Sequence, residues 1–337
     1  MKSFLKTSDF KRSELDGLIE AAIQLKSNPA SNKPLAGKSI ALVFFNPSLR
    51  TRASMQVGIY ELGGNPVILE PGSTSWTLEH SEGAVMDGDK TEHLAEFVRV
   101  LERYVSAIGV RIFAALKDWE SERTDPILNT FKKYASVPVI NLESAMHHPC
   151  QAMADMMTIR EKLGQERKKV LLTWAWHPKP LPMAVPNSFA LAASQFGHDL
   201  TISHPKGYDL DDELLAEIKQ QSTANGGSVE ITNDVITAFD DAEVVYAKSW
   251  SGKQFYGAAD KDIEFRANLR NEWIVDETKM CRTNDAIFMH CLPVRRNVIV
   301  TDAVIDSPQS VVIDEAENRL HMQKAIMTTL LQKPARE

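Results

Sequence analysis

Short apolar runs recur along the chain, separated by stretches in which apolar residues return every three or four positions. "SIALVFF", "PVILEP", "AIGVRIF" and "VPVINLE" occupy the first half; "KVLLTWAW", "HDLTISHP", "AEVVYAKSW", "EWIVDE" and "AIFMHCLPV" occupy the second. Runs of this kind predict strands covered on both faces, and the intervening period predicts helices. Together they describe parallel sheets with crossover helices. Nine strands are too many for one comfortable doubly wound sheet in 337 residues, so the pattern predicts two α/β lobes, each doubly wound. A boundary falls near residues 150–165, where "ESAMHHPCQAMADMMTIREKLGQERKK" reads as a loop, a helix and a polar exit. The predicted division is 1–150 and 151–314, followed by a terminal helix over 315–335.

The first run ends abruptly. Asn46 and Pro47 break the strand, and Met55, Ile59 and Leu62 then recur at helical spacing from about Arg52 until Gly63-Gly64. Ser48, Leu49, Arg50 and Thr51 thus occupy a strand-to-helix turn. Free backbone N–H groups, a helix dipole, hydroxyls and guanidinium groups meet there, a combination that favours an anion; a solvated cap with surface arginines is the plainer alternative. Ligands of open parallel sheets bind beyond the carboxyl ends of the strands. Arg111, Glu143, His148, Lys248 and His290-Cys291 all follow strands in this way, so two facing lobes would form a cleft with a ligand on each wall.

"HHPCQ" invites a metal reading, but adjacent histidines separated from Cys150 by a proline match no zinc spacing. His148 and Gln151 suit a different task, one donating to a carbonyl oxygen and the other accepting from an NH2 group; a capped helix with surface polar residues is the alternative. Cys291 invites a nucleophile reading, yet a buried structural cysteine is the commoner case. "WHPKPLPMAVPN" carries four prolines between Pro178 and Pro186, with a strand before and an apolar helix after. A stiff loop of that kind would preorganise His177 and Asn187.

Composition narrows the classes. Apolar residues make up 43% and charged residues 25%, as in a globular protein. A net charge of -7 gives no footprint for nucleic acid, so the arginines act locally. Three cysteines form no paired framework, which suits a reducing cytoplasm, and neither a signal peptide nor a membrane span is expected.

Taken together, SLRTR, HPCQ and HCLP, in that order and spacing, resemble the aspartate/ornithine carbamoyltransferase family over nearly the whole chain. The resemblance implies a carbamoyl-phosphate lobe, an amino-substrate lobe, a terminal helix returning to the first, and a cytoplasmic homotrimer with sites shared between subunits. It implies small-molecule substrates only, with no nucleic-acid or membrane partner, no metal and no organic cofactor. Ser48, Leu49, Arg50, Thr51 and Arg111 would hold the phosphate, with Arg319 as the family's late arginine. His148, Gln151 and the Cys291-Leu292 turn would hold the carbamoyl group. Trp76 lies in the loop that reaches a neighbouring subunit's site. Arg50, Thr51, Arg111 and His148 would carry catalysis, by stabilising the oxyanion and the leaving group.

The second substrate is narrowed by a departure. The Ser-Met-Gly loop of ordinary ornithine carbamoyltransferases is replaced by "YAKSWSGKQFYG". "WxxHPKPLP", "YAKSW" and "LPVRRN" resemble the branch acting on Nα-acylated ornithine in arginine biosynthesis, in which the proline loop belongs to a knotted path. Lys248 would pair with the α-carboxylate, and Glu143 and Asn187 would hold the amide end. Acetylornithine enzymes carry a glutamate in the "MDGD" loop and a lysine after "RRNV"; here stand Thr91 and Ile299. Without the glutamate a second carboxylate is not repelled, and Arg295, His177 and Lys179 would supply charge or donors to it. The expectation is therefore N-succinyl-L-ornithine, with N-acetyl-L-ornithine as the alternative and a non-catalytic carbamoyl-phosphate module as a remote one.

Overall fold

Ser39–Phe44 is a strand (β1) because Ile40 to Phe44 offer no polar face to water, and all five are buried. The remaining strands are β2 (Asn65–Leu69), β3 (Leu78–Glu79), β4 (Glu92–His93), β5 (Ala107–Arg111), β6 (Val139–Glu143), β7 (Lys169–Trp174), β8 (Asp199–Ser203), β9 (Ser228–Thr232), β10 (Val244–Lys248) and β11 (Ile287–Met289). The computed structural model describes residues 3–28 and 33–332. It divides into one unit of Met1–Ala114, Arg123–Cys150 and Arg319–Glu337, and another of Ala115–Glu122 and Gln151–Asn318.

The first unit holds a parallel sheet in the order β2-β1-β5-β6. Its core includes Ala41, Val43, Val98, Ile108, Val110 and Phe131. Gly109 interrupts the apolar run of β5 for a steric reason: a Cβ there would stand 2.9 Å from Leu142 Cδ1 and 3.1 Å from Leu42 Cδ2. The second unit holds a parallel sheet in the order β11-β10-β7-β8-β9. Segment 115–122 is tied to this unit. Leu116 O accepts from Gly257 N–H at 2.8 Å, and Trp119 meets Tyr256 edge-on at 5.1 Å.

The α/β class with parallel sheets is as the apolar pattern predicts; the pattern does not announce the two-residue strands β3 and β4, which form their own parallel pair, and two further details differ. "EWIVDE" forms no sheet strand: Val275 exchanges hydrogen bonds with Ile299 and Thr301 outside the sheet. Ser228–Thr232 is a strand that the apolar runs do not announce. It lies at an edge, three of its five side chains exposed, so it has no need of an apolar run. The terminal helix is Val312–Leu331; residues 333–335 of the expected helix lie outside the described residues.

Each sheet reverses its strand order once, between β1 and β5 and between β7 and β10. A crevice opens at such a switch point, at the carboxyl ends of those strands. Phe44, Arg111, Trp174 and Lys248 are those ends.

Candidate active site

In the first unit, Asn46 does more than break the strand. Its Oδ1 accepts the Phe113 N–H at 2.7 Å, fixing the exit of β1 beside that of β5. The following helix is Arg50–Glu61, starting two residues earlier than its apolar spacing suggests, with Leu49 exposed at its cap. Thr51 is buried in the first turn, and its hydroxyl oxygen accepts from Arg111 Nη1 at 3.1 Å and from Arg319 Nη2. Arg111 Nη1 also lies 2.7 Å from Glu143 Oε2, and His148 Nε2 stands 3.4 Å from the same oxygen. Arg52 is directed elsewhere, to Glu70 at 2.6 Å.

Five predicted residues, Thr51, Arg111, Glu143, His148 and Arg319, thus form one buried cluster. Two guanidinium groups against one carboxylate leave an excess positive charge. Burial, then Arg319 and Arg111, push His148 protonation well below the ordinary histidine value, so the imidazole is neutral. The chain before His148 is held by Asp125, in the left-handed region at φ 49. Its carboxylate accepts from Ser144 Oγ (2.7 Å), Ala145 N–H (2.7 Å) and Met146 N–H (3.3 Å). Burial raises its pKa to about 6 against those three bonds.

In the second unit, Gln151 is fixed by its amide nitrogen. Nε2 donates to Asp155 Oδ1 at 2.7 Å and to Glu315 Oε1 at 3.0 Å, while Oε1 is buried without a partner among the described residues. Glu315 Oε2 accepts the His290 N–H at 2.9 Å, and His290 Nδ1 accepts the Leu292 N–H at 2.9 Å. This folds the Cys291-Leu292 turn back on itself, with Leu292 at φ 53.

The remaining predicted residues are less unified. His177 Nε2 accepts from Arg295 Nε at 3.0 Å, and Nδ1 lies against the Lys179 backbone, 2.8 Å from its carbonyl oxygen and 3.1 Å from its N–H. Burial chiefly, with Arg295 and Lys248 adding, lowers the His177 pKa to about 4. His177 is therefore neutral near pH 7, and of the two alternatives, charge or donors, only the uncharged one is open to it. Lys248 ends β10, whose carbonyl accepts the Ala175 N–H at 3.0 Å. Asn187 is buried in the first turn of Ala184–Gln195. Glu143, expected with this group, belongs to the arginine cluster of the first unit. Thr91 is exposed, and its neighbour Glu92 is the residue that Trp76 engages, Nε1 to Oε2 at 2.8 Å.

Comparison with known proteins decides the family. Residues 2–161 match the aspartate/ornithine carbamoyltransferase carbamoyl-P binding domain, and residues 182–330 match the Asp/Orn binding domain. The chain belongs to the aspartate/ornithine carbamoyltransferase family. It is 48% identical over 335 residues to an N-acetylornithine carbamoyltransferase of Xanthomonas campestris pv. campestris, covering 98% of each chain. It is 39% identical over 336 residues to an N-succinylornithine carbamoyltransferase of Bacteroides thetaiotaomicron, covering 98% of this chain and 99% of that one. A solved N-acetyl-L-ornithine transcarbamylase matches with a TM-score of 0.95 and 48% identity, over 98% of this chain and 100% of that one. That protein has a glutamate replaced by alanine and is complexed with carbamyl phosphate and N-succinyl-L-norvaline. These relatives place the chain in the N-acylornithine branch of the carbamoyltransferases.

Several supports of this carbamoyltransferase site escape a reading of motifs. Asp155 lies four residues after Gln151, and Asp262 four before Arg266, spacings that put each pair on one helix face. Arg266 and Asp262 are a fully buried pair, with Nε to Oδ1 at 2.8 Å and Nη2 to Oδ2 at 2.8 Å. Arg266 also donates to His177 O (3.2 Å), Lys179 O (3.0 Å) and Trp250 O (3.3 Å). It thereby joins the proline loop to the segment after β10. Only the four-residue spacing of a charged pair in "ADKDIEFRA" hints at it.

Proposed function

We propose that the protein transfers the carbamoyl group of carbamoyl phosphate to the δ-amine of N-acetyl-L-ornithine, giving N-acetyl-L-citrulline and phosphate. The amine nitrogen bonds to the carbonyl carbon, the C–O bond to phosphate breaks, and the amine proton leaves with the phosphate. Thr51, Arg111 and Arg319, with Arg50 and Ser48 at the helix start, hold the phosphate and the charge that develops as it departs. Neutral His148 donates to the carbonyl oxygen without giving up a proton, and Gln151 Oε1 accepts from the carbamoyl NH2. Lys248 receives the α-carboxylate.

The acetyl reading replaces the succinyl expectation, which rested on Thr91. The observation that carries it is the Glu92 carboxylate held on Trp76 at 2.8 Å, so this loop keeps a negative charge. Loss of a glutamate accompanies a bound N-succinyl compound in the solved relative, which supports like-charge exclusion. The neutral state of His177 and the greater identity to acetyl enzymes favour the same substrate. The exposed Trp76 side chain supports a loop offered to a neighbouring copy in a trimer. Citrulline-product assays with both acyl-ornithines test the reading. A preference for the acetyl compound is expected, and Glu92→Ala should shift the ratio toward succinyl about tenfold, equivalent to ~1.4 kcal/mol of repulsion. A succinyl preference in the unaltered protein would overturn it.

A further inference from the structure

Glu315 is fully buried and divides its two oxygens between two elements. Oε1 accepts from Gln151 Nε2 at 3.0 Å, and Oε2 accepts the His290 N–H at 2.9 Å. Asp155, also fully buried, takes the other hydrogen of the same amide at 2.7 Å. Both Gln151 N–H groups are therefore spent on carboxylates, and rotating the amide by half a turn would set its oxygen against two carboxylates. The amide has one permitted orientation, in which Oε1 is presented as a bare acceptor. Through its second oxygen the same glutamate anchors the strand end from which the Cys291-Leu292 turn leaves.

We infer that Glu315, with Asp155, is a positioning residue that locks Gln151 Oε1 and the Cys291-Leu292 turn as a preformed acceptor pocket for the NH2 group of carbamoyl phosphate. The inference rests on the carbamoyltransferase reading. Its consequence is selectivity among acyl phosphates. Carbamoyl phosphate presents two N–H donors to this pocket, whereas acetyl phosphate presents a methyl group, which leaves the buried acceptors unpaired. The proposed function assigns the phosphate to other residues, so only the carbamoyl end concerns this pocket.

The test compares Glu315→Gln with the unaltered protein. Binding of carbamoyl phosphate, acetyl phosphate and inorganic phosphate is measured by calorimetry, and KM and kcat by citrulline formation. Glu315→Gln cannot satisfy both donors it faces. Affinity for carbamoyl phosphate should fall at least tenfold, while affinities for acetyl phosphate and inorganic phosphate stay within twofold. The carbamoyl-over-acetyl preference then collapses. Asp155→Asn, which keeps the His290 contact, should show a smaller loss of the same preference and carries the test if Glu315→Gln does not fold. Equal weakening of all three ligands, or an unchanged preference in both variants, overturns the inference. Absence of citrulline formation by the unaltered protein would instead overturn the proposed function.

Discussion

Arg111 and Arg266 are both buried guanidinium groups beside buried carboxylates, and the difference lies in what else each one touches. Arg266 donates to both oxygens of Asp262 and to three backbone carbonyls. Its charge is matched by a single carboxylate and its donors are spent on the protein. Arg111 shares Thr51 with a second arginine and Glu143 with a neutral histidine, so its cluster holds more positive charge than negative. A saturated arginine is a strut. An arginine in a cluster of excess charge is stable only with an anion or water in attendance.

The most severe break of this contrast is Arg111→Met. On the proposed function it removes a donor from the reacting phosphate and strands Glu143, so kcat/KM for carbamoyl phosphate should fall about 10²–10³-fold or more. Steady-state citrulline formation measures it. Activity within tenfold of the unaltered protein would make Arg111 a strut like Arg266. Arg266→Met should act chiefly on stability, with a loss of about 3–5 kcal/mol in urea unfolding, because the buried Asp262 carboxylate loses its cation and keeps only the Tyr208 and Ser251 hydroxyls. Adding Asp262→Asn, which removes the charge but keeps an acceptor for the Tyr208 and Ser251 hydroxyls, should recover much of that loss. If the double variant is no more stable than the single one, the carbonyl contacts matter more than the ion pair.

The smallest effect separates the histidines by pH. His148 and His177 are both held neutral in the folded chain, their pKa values depressed below the ordinary 6.5. The unfolded chain gains protons as pH falls through 6.5 and the folded chain does not, so stability should decline below that value. For His177 the decline ends near pH 4. Tm measured from pH 7.5 to 5 should therefore drop on acidification, and His177→Gln should make the slope shallower. A steeper slope in that variant would mean that His177 is charged and paired when folded.

Much of this was legible in the residues, for a physical reason. Buried parallel strands must be apolar throughout, so β1, β5, β6, β7 and β10 announce themselves. The turn after β1 is marked by Asn46 and Pro47, and the arginine cluster by residues at strand ends. What stayed hidden depends on contacts between distant positions. No local pattern in "GGSVEIT" marks an edge strand, since an edge tolerates polar faces. Glu143 is one residue whose neighbours could not be read: its strand is plain, but its pairing with Arg111 follows from the β5-β6 register, which sets Arg111 opposite Glu143. Glu92, one position from Thr91, was legible as a carboxylate that could restore the negative charge; its contact with the indole of Trp76, sixteen residues away, was not.

The helix Val312–Leu331 supplies Glu315 to Gln151, Arg319 to Thr51 and, at 2.6 Å, Lys324 to Glu61. It is also the last element of the described residues to leave the ribosome. Both sheets can be synthesised, and begin to fold, before either polar cluster has all its members. A messenger cut short ahead of this helix would therefore yield a chain with neither the second arginine on Thr51 nor the lock on Gln151.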